Sequence, residues 1–248
     1  MRCLKMTVAY RGTHYCGWQI QNGQNSIQQE LESAFRTVTG ETVRMTASGR
    51  TDAGVHALGQ VVSTAIRSEM ECHQLLRALN GNTPFDISVL KVEEAVPRFH
   101  AIRDATKKSY RYRIQSGPVS DPIDQDFLWY VPFSLDVAAM QSGCEYLVGE
   151  HDFVCFQASG GATKSTIRTV FQCQIREAVS SPFRKLELDI EGSGFLYNMV
   201  RIIAGSLVEI GKGKRQPDWI AEIIQSKDRT KAGPTAPPQG LFLMNVDY

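Results

Sequence analysis

Along the first ninety residues the hydrophobic pattern alternates between the period of a strand and the period of a helix, and this constrains the fold most. Arg2 to Tyr10 is a β-rich run. From Ser26 onward Ile27, Leu31, Ala34, Phe35 and Val38 recur at the spacing of one helix face. Ser26 and Gln29 have the spacing of a capping box, and Gly40 ends the helix. Thr42 to Ser48 and Leu58 to Ile66 read as strands. Ser68 to Leu79 reads as a helix with Leu75, Leu76 and Leu79 inward, stopped by the breaker cluster Asn80-Gly81-Asn82-Thr83-Pro84. Asp86 to Val92 is again a strand. The resulting order, β-α-β-β-α-β, is a split βαβ layout built on an antiparallel sheet.

The same order is expected to recur downstream. Lys107 to Ile114 reads as a strand, and Leu135 to Leu147 as a helix. Ile167 to Ile175 and Arg184 to Ile190 read as strands, Phe195 to Ile210 as a long buried helix, and Gly240 to Tyr248 as a closing strand. An extra helix is expected over Pro217 to Gln225. Two such halves, 1–104 and 105–248, make an α+β protein with a cleft between them.

Composition narrows the class. A chain of 248 residues holds one large or two modest domains, and 42% hydrophobic with 21% charged residues excludes a disordered chain, a collagen and a coiled coil. Lys+Arg 27 against Asp+Glu 26 excludes a polybasic protein that grips nucleic acid through its bulk field. Arg2, Lys5 and Thr7 break up any secretory signal at Met1 to Tyr10. Asn198, Arg201 and Glu209 interrupt the longest apolar stretch, so no membrane span is expected. Six cysteines without a C-x-x-C pair read as reduced thiols. The chain is expected to be cytoplasmic and metal-free.

Charge is distributed unevenly. Arg103 to Arg113 holds Arg103, Lys107, Lys108, Arg111 and Arg113, whereas Ile114 to Thr163 has no Lys or Arg and seven acids. Basic residues return at Arg201, Lys212, Lys214 and Arg215. Tyr110 and Tyr112 interleave with cations in KKSYRYRI, a pattern in which aromatic faces stack bases while cations take phosphates. Solvated charges on an edge strand are the plainer reading. Tyr112 is assigned to the opposite strand face from Tyr110, in the core. Gly211-Lys212-Gly213-Lys214 lacks the order of a nucleotide-binding loop and reads as a helix end with a basic tail.

Ser48 to Gln60, SGRTDAGVHALGQ, is the most unusual stretch. Gly49 and Gly54 permit tight backbone geometry around Asp52, exposing its carboxylate where a strand gives way to a loop. Arg50 is expected to keep that carboxylate ionised, which suits a nucleophile better than a general acid. The alternative is an Asx turn organising the loop. His56 is assigned a structural role.

Gly49-Arg50-Thr51-Asp52-Ala53-Gly54-Val55-His56-Ala57 resembles the signature loop of the TruA family of tRNA pseudouridine synthases. Tyr10 to Gln19 (YRGTHYCGWQ) resembles the family's opening motif. Phe99-His100-Ala101 with Lys108 to Tyr112 is similar to its second, Gly194 to Arg201 with Ile203 and Gly205 to its third, and Ala236 to Leu241 to its closing element.

The resemblance implies isomerisation of uridine to pseudouridine at positions 38, 39 and 40 of the tRNA anticodon stem-loop, by a homodimer without cofactor or metal. It implies two ferredoxin- or RRM-like halves that form an extended antiparallel sheet with a central RNA-binding cleft, in agreement with the element order. Asp52 falls on the catalytic nucleophile, and attack at C1′, attack at C6 and a glycal route all stay open. Tyr110 falls on the tyrosine that stacks on the target uracil and helps remove its C5 proton. Arg201 falls on the arginine that pairs with Asp52 or a phosphate, and Arg50 is expected near the flipped nucleotide. Two competing readings are a non-catalytic RNA-binding or tRNA-folding protein on the same scaffold, and a nucleoside hydrolase releasing free uracil.

Overall fold

Strand β1 (Arg2–Tyr10) buries every second side chain, with Leu4, Met6 and Val8 turned to one face. In this computed structural model, which describes residues 1–161, 163–178 and 182–248, it begins a chain of ten strands and five α-helices. The elements that follow are α1 (Ile27–Thr39), β2 (Thr46–Ala47), β3 (His56–Ile66), α2 (Cys72–Asn80), β4 (Ile87–Ala95) and β5 (Lys107–Ser116). Next come β6 (Trp129–Val131), α3 (Val137–Glu145), β7 (Gly149–Asp152), β8 (Ile167–Ala178) and β9 (Arg184–Gly192). Helices α4 (Met199–Gly211) and α5 (Trp219–Ser226) and strand β10 (Leu241–Asp247) complete the order. The protein is α+β, and its strands pair mostly antiparallel. Among the described residues no helix is long and apolar enough to cross a membrane.

The chain forms two compact units. The first is Met1–Thr106 together with Phe242–Tyr248. Its sheet runs β4-β1-β3-β10, with β2 also on β3. β1 pairs antiparallel with β3 and β4, while β10 lies parallel to β3 with Phe242 opposite His56. Ile27, Leu31 and Phe35 of α1 and Leu75 and Leu79 of α2 are buried with the apolar face of β1. The Ser26 hydroxyl caps α1 by accepting the Gln29 N–H at 3.3 Å, and Gly40 closes it at φ 74°.

Two expected elements start later or shrink. The run from Thr42 keeps only β2 as strand, because side chains of α1 take the backbone at Met45: Glu32 accepts its N–H (2.8 Å) and Gln28 donates to its carbonyl (3.2 Å). The helix expected from Ser68 begins at Cys72. The N–H groups of Arg67 and Ser68 are already committed to the Glu41 carboxylate, at 2.9 and 2.6 Å.

The second unit, Lys107–Leu241, has the sheet β5-β9-β8-β7, with β6 parallel to β5. β6 and β7 are unforeseen strands of three and four residues, too short to show a period. Tyr112, Ile114, Leu186, Leu188, Ile190 and Ile175 are buried in its core with α3 and α4. Helix α4 starts at Met199 rather than Phe195, since Asn198 sits in the left-handed region at φ 60° and Ala158 N–H takes the Tyr197 carbonyl.

Candidate active site

Asp52 opens a tight turn. Val55 N–H donates to the Asp52 carbonyl at 3.1 Å, and Gly54, third in the turn, has φ 77°, the positive value that a type II turn requires. The backbone on the N-terminal side is fastened just as firmly. Tyr10 Oη lies 2.7 Å from Thr51 Oγ1, and Trp18 N–H donates to the Thr51 carbonyl at 3.0 Å. Gln60 Nε2 donates to the Gly49 carbonyl at 2.9 Å and Gln60 Oε1 accepts from Ser48 Oγ at 2.7 Å. Burial pushes the Tyr10 hydroxyl up to about 12, so it is protonated at neutral pH.

The opening motif lies directly on this loop. Gly12 N–H donates to His56 Nδ1 at 3.0 Å, and a Cβ on Gly12 would overlap the Val55 carbonyl. Gly17 bridges to Asp52 as an isolated antiparallel pair at φ 101°, where a Cβ would overlap the Thr51 carbonyl. Two motifs forty residues apart are thus one structure, and glycine is the residue that lets their backbones touch. His56 is buried, 1% exposed, with its ring stacked on Phe242 at 4.7 Å. With Nδ1 accepting from Gly12, the ring proton sits on Nε2, and the ring holds the opening motif against the Asp52 loop.

Asp52 itself is half-buried and Arg50 exposed.

Tyr110 and Arg201 belong to the second unit. Tyr110 is half-buried and meets Phe195 edge-on, with ring centroids 5.1 Å apart. On β5 the register sets Tyr110 opposite Ile190 and Tyr112 opposite Leu188. This corrects the expected placement of Tyr112, because residues two apart on a strand share a face. Tyr112 is core because of what covers it: its hydroxyl donates to the Pro237 carbonyl at 2.6 Å and its ring meets Trp129 at 6.3 Å.

The same alternation splits the basic patch. Arg111 and Arg113 point to the other face, where Arg111 forms a fork with Asp189 (2.7 and 3.0 Å) and reaches Glu187 at 3.2 Å. Arg113 lies 3.7 Å from Glu187, Arg176 bonds both Glu187 and Asp189 at 2.8 Å, and Lys107 bonds Glu191 at 2.9 Å. The downstream cations behave alike, with Lys212 and Lys214 both on Glu209 at 3.0 and 3.1 Å. The cation sharing a face with Tyr110 is Lys108, pushed down to about 8 by burial and by neighbouring Arg168, a feature that charge counting missed.

Arg201, near the start of α4, donates from Nε to the Ala236 carbonyl and from Nη1 to Asn198 Oδ1, both at 2.7 Å. Its own carbonyl accepts the Ala236 N–H at 3.1 Å. The third and closing motifs are therefore bonded together. Among the described residues no three His, Cys, Asp or Glu side chains gather as a metal site.

Comparison with known proteins follows this geometry. The family model described as tRNA pseudouridine synthase matches residues 6–102 and 144–248, taking in Asp52 and Arg201 and leaving Tyr110 in the interval between. The chain is 42% identical over 248 residues to a protein of Pelobacter propionicus (strain DSM 2379 / NBRC 103807 / OttBd1), covering 100% of both chains. The identity is again 42% to a protein of Thermoanaerobacter sp. (strain X514), with 100% of both covered. It is also 42% to one of Exiguobacterium sp. (strain ATCC BAA-1283 / AT1b), covering 98% of that protein. All three relatives bear the name tRNA pseudouridine synthase A. Matched along its full length at this identity, with its two unlinked opening motifs folded into one loop structure around Asp52, the chain belongs to the tRNA pseudouridine synthases.

Proposed function

We propose that this protein isomerises uridine to pseudouridine in the tRNA anticodon stem-loop, at positions 38, 39 and 40, with Asp52 as nucleophile. One arrangement carries the reading: the backbone on both sides of Asp52 is fastened by Tyr10, Trp18, Gln60 and the Gly54 turn, while its side chain stays half-buried. Fastening of this kind pre-orients a reacting group. A merely RNA-binding protein has no need of it.

The reaction moves one bond and needs no net redox change. The N1–C1′ bond breaks, the detached base turns, C5 bonds to C1′, and the C5 proton leaves as N1 gains one. A base within a helix must first be extruded at a cost of a few kcal/mol. Stacking on Tyr110, worth ~1–3 kcal/mol, offsets that cost. Arg50 and Arg201 bind the substrate through its phosphates, as guanidinium groups do. Asp52 attacks C1′ or C6, or takes a ribose proton to form a glycal. The protein works in the cytoplasm as a homodimer, without cofactor or metal.

The test is incubation with unmodified tRNA followed by chemical detection of pseudouridine. Asp52→Ala abolishes turnover and leaves tRNA affinity within about tenfold, or ~1.4 kcal/mol. Full activity in Asp52→Ala, or none in the wild type, defeats the reading. Free uracil among the products would point to a hydrolase, and mapping in a deletion strain checks the positions.

A further inference from the structure

Among the described residues Phe85 is the most exposed large apolar side chain, at 91%. It does not lie on a loose loop. It is the second residue of a turn in which Ile87 N–H donates to the Pro84 carbonyl at 3.0 Å, and the preceding Asn82 and Thr83 are tied to the end of α2 through the Leu79 carbonyl. The opening motif holds the turn from the other side. Arg11 N–H donates to the Asp86 carbonyl at 2.9 Å, and Tyr15 Oη donates to Asp86 Oδ1 at 2.6 Å. A flat aromatic ring is thus displayed to solvent on a rigid mount.

The mount stands at the Asp52 end of the first unit's sheet. Tyr10 at the end of β1 is paired with Ile87 on one side and with Ala57 on the other. Phe85 precedes Ile87, and the Asp52 loop precedes Ala57. Ile87 and Ala57 lie two strand spacings apart, about 10 Å, so Phe85 and the Asp52 loop enter the sheet at the same end. Arg11 and the exposed His14 lie in the motif that holds the mount. Exposed aromatic rings beside basic residues are the usual platform for an unpaired base.

Resting on the reading that the substrate is tRNA, we propose that Phe85 stacks on an unpaired base of the tRNA and positions the strand that enters the Asp52 loop. It is a substrate-positioning residue, separate from Asp52, Arg50, Tyr110 and Arg201, and acts on binding rather than on chemistry.

Phe85→Ala, Phe85→Leu and Phe85→Tyr are compared with wild type for tRNA affinity by filter binding, steady-state pseudouridine formation and thermal melting. Phe85→Ala and Phe85→Leu are expected to weaken affinity and raise KM about tenfold, or ~1.4 kcal/mol, with kcat and melting temperature unchanged. Phe85→Tyr, which keeps the flat ring, stays within twofold of wild type. The proposal is overturned if Phe85→Ala binds within twofold of wild type or if Phe85→Leu binds as well as Phe85→Tyr. It is equally overturned if Phe85→Ala melts several degrees lower, or loses a self-association that wild type shows. A wild type that binds tRNA without converting it removes the isomerase reading alone, and the affinity comparison still decides Phe85.

Discussion

Asp52 owes its placement to residues that carry no chemistry of their own. Gly17 is the plainest case: at φ 101°, with the Thr51 carbonyl where its Cβ would go, it tolerates no side chain. Gly17→Ala should cost about 2 kcal/mol in backbone strain, lowering the melting temperature by roughly 4–8 °C, and should cut turnover at least about tenfold. Calorimetry and the pseudouridine assay check both. Tyr110→Phe keeps the ring and its edge contact with Phe195, so tRNA affinity should hold while kcat falls; equal rates would remove the hydroxyl from the mechanism. Lys108 sets a pH effect. Its pKa falls to about 8 in the folded protein from the ordinary 10.5, so between those values the unfolded chain binds more protons and stability rises with pH. Because the raised thiols of Cys155 and Cys173 pull the other way in this window, the reading is a difference: the denaturant midpoint of wild type relative to Lys108→Met should rise from pH 8 to pH 10. The motifs single out Asp52, Tyr110 and Arg201, and the fastening of the backbone around Asp52 was foreshadowed by the glycines of its loop. The exposure of Arg50 and the burial that depresses Lys108 were not, because both depend on neighbours far away in sequence.

At the scale of single elements, local signals were read well and cross-strand ones were not. Helix α1 shows its ends in Ser26 and Gly40, which act within one turn, and both caps form. The alternation on β5 hides a division of labour, since Arg111 and Arg113 belong to a lattice with Glu187 and Asp189 while Tyr110 and Lys108 face the other way. Glu187→Gln would leave Arg111 and Arg176 on Asp189 and take the carboxylate away from beside Arg113. The loss should be about 1–2 kcal/mol by denaturation at low salt, smaller at 1 M salt because these side chains are partly exposed. Binding of tRNA should not change; tighter binding would mean that the released arginines reach RNA. Helix α4 adds a second lesson. A Cβ on its Gly205 would overlap the Pro234 carbonyl, a close approach whose partner lies about thirty residues on in the chain.

Over the whole molecule, the last strand has the widest reach. β10 returns to the first unit, where Phe242 stacks on His56, Met244 fits against Gly59, and Tyr248 donates to the Ala101 carbonyl at 2.9 Å with its ring 4.5 Å from Lys5 Nζ. Deleting 242–248 removes Phe242, Leu243 and Val246, whose burial is together worth about 5 kcal/mol. Far-UV melts should then show the first unit destabilised, and turnover should vanish although Asp52 is untouched. The sequence by itself determined the periods that make strands and helices, the caps that end them, and the motif residues that mark the family, since each is written in neighbours within a few positions. Only the tertiary structure decided that the opening motif lies on the Asp52 loop, which cations are answered by acids, which face Tyr112 shares, and where the last strand goes. Those outcomes follow from strand register and burial, which bring together groups that spacing along the chain leaves unrelated.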